Sequence, residues 1–321
     1  MSLWKRIRYR IEAASVRLLA WLIPRLSRER CVRLANALGE IACRLDRRGR
    51  AVALANVECA LGDSLSPEQR HDVVRASYRN FARTMIDLFW APALALPKNR
   101  RWLRINDLDD CGTCAENQGI VLLTLHIGNW EWASLSAPWM GYTCIAVAEE
   151  FKNPALADIF RTLRQTTGQT IIPQENSMMK MLRTVKRGGC TALLSDLTLR
   201  PQQTSTIIRA FGMELCVSVL HAVLAQRAGA LIVPGMCLPD ADGGATIHFL
   251  KPLKFTADAS LQQIAQTCWD CFEPHVRAQP GLWLWPYKHF RYKPRGTTGE
   301  YPFYSNESGA FEKLRRRELG T

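Results

Sequence analysis

Apolar residues recur at helical spacing over the first 95 positions, and the rhythm changes after residue 119. "CVRLANALGEIACRLDRR", "AVALANVECALG" and "SPEQRHDVVRASYRNFARTMIDLFW" place apolar side chains every three or four residues, the period of a helix with one buried face. Ser66, Pro67 and Glu68 make a helix start in the last of these. From residue 119 onward, short apolar runs alternate with helical patterns. "GIVLLTLH", "TCIAVAE", "TIIP", "CTALLS", "ALIVPGMCL" and "TIHFLKPLKF" are strand candidates. "NPALADIFRTLRQTTG", "NSMMKMLRTVKRGG" and "VLHAVLAQRAGA" read as helices ended by glycine. The alternation predicts an α/β fold with a central, largely parallel or mixed sheet flanked by helices, preceded by a helical N-terminal region. The boundaries expected are a basic amphipathic helix at 1–25 and a single domain over 26–321. That domain divides into a helical part at 26–95, an α/β core at 96–295 and a basic tail at 296–321. Sites in such sheets lie beyond the carboxyl ends of strands, and His126 ends one of the strand candidates.

Composition adds a compartment and a surface. The chain has 321 residues, 47% of them hydrophobic, enough to bury a full core. Its net charge of +13 is concentrated at the ends, with 13 Lys/Arg against 4 Asp/Glu in residues 1–50. Basic ends on a neutral body suit an anionic surface. No zinc finger, aromatic ribonucleoprotein box or basic zipper occurs, so nucleic acid is not an expected partner. "LWKRIRYRIEAASVRLLAWLIPRL" mixes basic residues with Trp4, Ile7, Ile11, Leu18 and Trp21. This pattern predicts a helix lying in a membrane interface, although a helix packed on the protein's own core would share it. Its longest apolar run, Leu18 to Pro24, is far below the roughly 20 residues that span a bilayer. Eleven scattered cysteines do not form a secreted disulfide framework, and a reducing cytoplasm is the simpler expectation.

The candidate chemistry lies in "GIVLLTLHIGNWEWASL", where His126 and Glu131 stand five positions apart. On a continuous helix they would diverge by about 140°. They converge only if the backbone turns, and Gly128 with Asn129 supply a turn and an N-cap. The expected geometry is strand, tight turn and helix, with Glu131 in the first helical turn. There its carboxylate holds one imidazole nitrogen and leaves the other as a base for a substrate hydroxyl. The free N–H groups of that helix start would stabilise an oxyanion.

This stretch resembles the bacterial lipid A biosynthesis acyltransferases, whose strand is followed by His-x-Gly-Asn-Trp-Glu, here "LHIGNWE". "KNPALADIFRTLRQTTGQTIIP", with Arg164 and Gly168, "RGGCTALLSDL", ending at Asp196, and "QPGLWLWPYKHFRYKPRG" are similar to further blocks of that family. The resemblance implies a glycerolipid acyltransferase-like fold at the cytoplasmic face of the inner membrane, peripheral or monotopic. It implies transfer of a fatty acyl chain from acyl carrier protein to a hydroxyl of a lipid A precursor or related glycolipid, without metal or cofactor. His126 would be the general base and Glu131 its partner. Gly128, Asn129, Lys152, Arg164 and Asp196 would lie on the substrate-binding side. Arg164 and Asp196 admit two readings. They form an ion pair with each other, or Arg164 meets phosphate or acceptor while Asp196 orients a site group. Several positions depart from the family pattern. Leu197 follows Asp196 where glutamine is usual, Gly281-Leu282 replace Glu-Gln before Trp283, His289 replaces a basic residue, and Glu149 and Glu150 stand where one is frequent. Leucines in place of two glutamines make an acceptor pocket more apolar, which leaves another glycolipid, or a simpler hydroxylated or amino lipid, as an alternative acceptor.

Other chemistries find less support. Cys111-x-x-Cys114 and Cys268-x-x-Cys271 lie 153 residues apart, too scattered for a ready zinc site, and the second pair falls on a helical pattern. No Gly-x-Ser-x-Gly elbow, Walker loop or His-Glu-x-x-His occurs. A membrane-surface scaffold without activity would explain the basic ends but not the His–Glu turn.

Overall fold

The structure is a computed structural model that describes residues 3–106, 118–148, 151–175, 177–202 and 204–320. Cys111, Cys114, Glu149 and Glu150 lie outside the described residues. Four helices come first, α1 (Leu3–Leu22), α2 (Arg28–Leu45), α3 (Arg47–Leu61) and α4 (Pro67–Leu94). Ser66 caps α4 through the Gln69 amide while the Gln69 side chain returns to the Ser66 N–H. Such a reciprocal cap satisfies two orphan donors and fixes where the helix begins.

The remaining elements alternate as expected. They are β1 (Leu103–Asn106), β2 (Ile120–Thr124), α5 (Trp130–Ser136), β3 (Cys144–Ala148), α6 (Pro154–Arg164), β4 (Thr170–Pro173), α7 (Ser177–Lys186) and β5 (Cys190–Leu194). Then follow β6 (Ser205–Ala210), β7 (Met213–Ser218), α8 (Leu220–Ala228), β8 (Leu231–Pro239), β9 (Ala245–Phe249), α9 (Leu261–Ala278) and α10 (Gly309–Leu319). Seven strands form one sheet in the order β1-β9-β8-β2-β5-β3-β4, parallel throughout except for the β8–β9 pair. Helices cover both faces, so β2 and β8 read as unbroken apolar runs. β2 is central, between β8 and β5, and pairs with β5 from Ile120↔Cys190 to Thr124↔Leu194.

Three features differ from the sequence expectation. The stretch around Phe211-Gly212 forms a separate two-stranded hairpin, β6–β7, paired from Ser205↔Ser218 to Ala210↔Met213. Its two turn residues have φ of 52° and 81°, the left-handed pair that a two-residue hairpin loop requires. β1 is an additional edge strand. The 296–321 segment ends in α10, whose Phe311 and Leu314 are buried against Ile207 and Cys216 of the hairpin, while Arg315 pairs with Glu214 at 2.8 Å.

The N-terminal helices sit on the sheet in two ways. α4 packs against α2, α3 and α5 and against the Pro280–Leu282 turn. α1 buries only Ala13 and leaves Trp4, Ile7, Ile11, Leu18 and Trp21 exposed. It is tied to the start of α6 by Asn153, whose amide donates to the Tyr9 carbonyl at 3.0 Å and to Glu12 at 3.1 Å. Among the described residues no helix is long and apolar enough to cross a membrane.

The Pro280–Leu282 turn approaches α4 closely. A Cβ at Gly281 would lie 2.6 Å from the Ala76 Cβ, well inside contact distance. Gly281→Ala should therefore destabilise the fold by about 1–3 kcal/mol, the usual cost of overpacking. Urea unfolding followed by tryptophan fluorescence measures it, and an unchanged midpoint would show that this contact yields freely.

Candidate active site

The sheet register places the two central side chains. His126 lies two residues past the end of β2 and Asp196 two past the end of β5. Because these parallel neighbours end together at Thr124↔Leu194, residues 70 apart in sequence arrive side by side. The His126 Nδ1 is 2.7 Å from Asp196 Oδ1, and the His126 backbone N–H donates to Oδ2 at 2.9 Å. Oδ2 also accepts the Trp283 indole N–H at 2.8 Å. Asp196 is fully buried, whereas the His126 side chain keeps 15% of its surface. Its ring meets the Trp130 ring edge-on at 5.1 Å. With Nδ1–H donated to the carboxylate, the neutral imidazole carries its lone pair on Nε2, the nitrogen turned away from Asp196.

The turn after His126 has the expected form but not the expected partner. Gly128 has φ of 60°, and a Cβ there would fall 2.2 Å from the Cys237 carbonyl oxygen on β8. Asn129 accepts the Trp132 N–H at 3.0 Å and starts α5. Glu131, in the first turn of α5, does not hold the imidazole. Both its oxygens accept from Arg164, at 2.9 Å from Nε and 2.6 Å from Nη2. The expectation that Glu131 fixes the histidine ring is thus corrected. A carboxylate rising from the adjacent strand already occupies Nδ1, and the last turn of α6 brings a guanidinium to Glu131. Arg164 and Asp196 do not pair with each other. Burial draws the Arg164 pKa down, but the hydrogen bonds and charge of Glu131 more than offset this and leave it raised.

The other expected substrate contacts spread out. Gly128 and Asn129 face the protein: the Gly128 N–H donates to the Leu282 carbonyl at 2.9 Å, and the buried Asn129 amide donates to Asp87 at 2.7 Å. Lys152 is exposed just before α6, about 15 Å of helix away from Arg164. Of the amides expected to await an oxyanion, those of Gly128, Asn129 and Trp132 are already bonded within the protein. Among the described residues no cluster of His, Cys, Asp or Glu could hold a metal ion, and Cys268 and Cys271 lie on α9 as free thiols.

A strand-borne histidine held by a buried carboxylate beside a glycine turn suits transfer of a group to a hydroxyl. The sequence model of the bacterial lipid A biosynthesis acyltransferases matches residues 6–292. The chain belongs to that family. As an acyltransferase it is also similar to the phosphatidylinositol mannoside acyltransferase of Mycolicibacterium smegmatis, 26% identical over 220 residues, 66% of this chain and 70% of that one. The enzyme of the same name from Mycobacterium tuberculosis H37Rv is 26% identical over 219 residues, 65% of this chain and 67% of its own. α10 lies beyond the family match.

Two groups in this acyltransferase escaped sequence reasoning. Trp283 sits in the C-terminal block quoted above, yet nothing in that block says that its indole reaches Asp196. His289 is fully buried and stacks on Trp283 at 4.0 Å, with Nε2 2.8 Å from the Leu284 carbonyl and Nδ1 3.2 Å from the Asp196 carbonyl. Burial lowers its pKa, against smaller raising effects from Asp196 and the carbonyls. A buried ring that stacks on Trp283 and reaches two carbonyls thus stands where the family pattern has a basic residue.

Burial alone would raise the Asp196 pKa. The positive charge of His126 and its side-chain hydrogen bond, then His289 and the His126 backbone N–H, together bring it down to about 2. An unfolded aspartate titrates near 3.9. The folded value is depressed, so this stabilisation is complete above pH ~4 and disappears as pH falls through about 2. Asp196→Asn should therefore cost stability at pH 6, and the gap between wild type and variant should narrow by roughly 2 kcal/mol between pH 4 and 2. Urea melts across that range test it. A gap that stays constant down to pH 2 would mean that Asp196 titrates as it does in the unfolded chain.

Proposed function

We propose that this acyltransferase moves a fatty acyl chain from a thioester donor, acyl carrier protein, to a sugar hydroxyl of a lipid A precursor or related anionic glycolipid. The observation that carries the reading is the His126–Asp196 contact, which fixes the tautomer with Nε2 as the base. Nε2 takes the proton of the acceptor hydroxyl as its oxygen attacks the thioester carbonyl carbon. The tetrahedral intermediate collapses, the C–S bond breaks, and the imidazolium returns the proton to the leaving thiolate. The products are an ester and a free thiol, and no cofactor enters the balance. Asp196 stabilises the imidazolium between the two steps. Glu131 acts through Arg164, holding a guanidinium beside the turn where an anionic group of the acceptor would dock.

Acceptor choice has a second reading. The relatives are named for phosphatidylinositol mannoside, and Leu197 and Leu282 replace glutamines that would read polar headgroup detail. These two points favour an acceptor other than a lipid A precursor, with a sugar hydroxyl on an anionic glycolipid as the chemistry common to both cases. Comparing the lipid A precursor with phosphatidylinositol mannoside in one assay decides between them.

The workplace proposed is the cytoplasmic face of the inner membrane. α1 presents exposed Trp4, Ile7, Ile11 and Leu18 among Lys5, Arg6, Arg8, Arg10 and Arg17. Apolar side chains at the acyl boundary with basic groups at headgroup level would hold it there peripherally.

His126→Ala should lower acyl transfer by ~10²–10⁴ per folded molecule, the usual contribution of a positioned base, and should also lower the thermal midpoint, because buried Asp196 loses its ring donor. Full activity in that variant would end the base assignment. Glu131→Gln should cost less activity than His126→Ala, because the imidazole keeps Asp196. It should also lower the thermal midpoint, because Arg164 loses its charged partner. For the membrane, binding to vesicles containing phosphatidylglycerol should weaken with salt and on deletion of residues 1–25, since each basic residue near the surface contributes about 1 kcal/mol within a Debye length. Retention that ignores both salt and the deletion would remove α1 from the membrane contact.

A further inference from the structure

Four polar residues of α4, Ser77, Asn80, Thr84 and Asp87, lie at intervals of three, four and three. At 100° per residue they fall within about 80° of one another, a single stripe along the helix. Small polar side chains usually mark a wet face. Here none of the four is more than 8% exposed. A buried polar group costs free energy unless it is bonded, so the partners of this stripe indicate its purpose.

Apart from Arg28 and contacts within α4, those partners belong to two segments of the candidate active site. Ser77 donates to the Trp283 carbonyl and accepts the Trp285 N–H at 3.2 Å. The Asn80 amide donates at 2.9 Å to the Gly128 carbonyl and at 2.9 Å to the Leu282 carbonyl. The Thr84 hydroxyl lies 3.0 Å from the same Gly128 carbonyl. Asp87 accepts the Asn129 amide at 2.7 Å through its carboxylate and the Trp132 indole N–H at 2.9 Å through its carbonyl. Arg28 of α2 closes the stripe on Asp87 with Nη1 and Nη2, its guanidinium carbon lying over the Trp132 ring at 4.7 Å.

One segment is the turn that directly follows His126. The other carries Trp283, the indole donor to Asp196. We infer that the polar stripe of α4 is the positioning device of the His126–Asp196 pair, with Asn80 as the residue that ties the two segments to each other. This rests on His126 being the base. Neither ring nor carboxylate touches the stripe. Asn80 instead bonds the carbonyl two residues after His126 and the carbonyl immediately before Trp283, so one amide braces the histidine turn against the segment of the third donor, beside the direct Gly128 N–H to Leu282 and Leu284 N–H to His126 bonds. If Asn80 is lost, both carbonyls lose a donor, and each segment keeps its own bonds to Ser77, Thr84 or Asp87 together with direct links such as the Gly128 N–H to Leu282 carbonyl bond.

The test uses full-length protein labelled with 15N-histidine, with the His126→Ala spectrum assigning the ring signals. Two variants are compared, Asn80→Ala and Thr84→Val. The second has the same shape as threonine without its hydroxyl, and Thr84→Ser is the conservative rescue. Activity is read with palmitoyl-acyl carrier protein as donor and phosphatidylinositol mannoside or a lipid A precursor as acceptor. The expected result is a fall in kcat on the order of 10²-fold for Asn80→Ala, the size of effect a displaced reacting group produces, with KM within about threefold. Thr84→Val should show a smaller fall of the same kind, restored by Thr84→Ser. In the spectrum the His126 ring should pass from one tautomer to a mixture, while the thermal transition stays cooperative. The inference is overturned if both variants keep wild-type kcat and a single tautomer. It is also overturned if activity falls only in step with the folded fraction while the ring signal is unchanged. If His126→Ala is itself fully active, the base assignment fails instead, a result separate from either of these.

Discussion

A carboxylate with no access to water must find donors for both its oxygens, and Asp196 is the place where this structure meets that demand. Two of its three donors come from His126, ring and backbone, and follow automatically once β2 and β5 are paired in register. The third, the Trp283 indole, comes from a segment that belongs to no strand of the sheet. Much of the arrangement around residues 280–290 can be read as the means of delivering that indole. Gly281 lets the chain lie against α4, His289 backs the indole ring from behind, and the stripe on α4 fixes the carbonyls on either side of it. The helical N-terminal region is in this sense part of the site's frame.

Two carboxylates with different partners stand around the histidine turn. Asp196 is matched to an imidazole, a side chain that can gain or lose a proton near neutral pH. Glu131 is matched to Arg164, whose charge is permanent. The separation leaves the imidazole bonded to one carboxylate, Asp196, while Glu131 is taken up by Arg164. It also explains how one short motif can carry a histidine and a glutamate five residues apart that do not touch. Each is the end of a different network, and the Gly128 turn sends them in different directions.

Much of this fold was legible because its strands are buried on both faces. Unbroken apolar runs such as "GIVLLTLH" and "ALIVPGMCL" have few other uses, and the alternation with helices then dictates a parallel sheet. The β6–β7 hairpin was not legible, because its turn is Phe211-Gly212 and phenylalanine with positive φ is an unusual turn residue. β1 is four residues long and half polar, so it carries little signal. Within the site, proximity in sequence suggested Glu131 as the partner of His126. A parallel sheet places residues 70 apart as close together as neighbours, and no local pattern announces it. Asp196 was singled out, with orienting a site group among its possible roles, but not as the partner of this histidine. The α4 stripe was missed for a further reason: serine, asparagine, threonine and aspartate at helical spacing look like a solvated face until their burial is known.

The three donors of Asp196 also set an order on the making of the protein. His126 and its strand leave the ribosome early, and Asp196 follows 70 residues later. Trp283 is joined to the chain a further 87 residues on, and the bonds from α4 to this segment span 202 and 206 residues. At roughly 5–20 residues per second, several seconds of synthesis separate the pair from its third donor. During that interval the nascent chain carries a histidine and a carboxylate without the frame that holds them, and loop closure over such distances is among the slower steps of folding. The frame around Asp196 is thus completed only once Trp283 has been made, well after the two strands that bring His126 and Asp196 together.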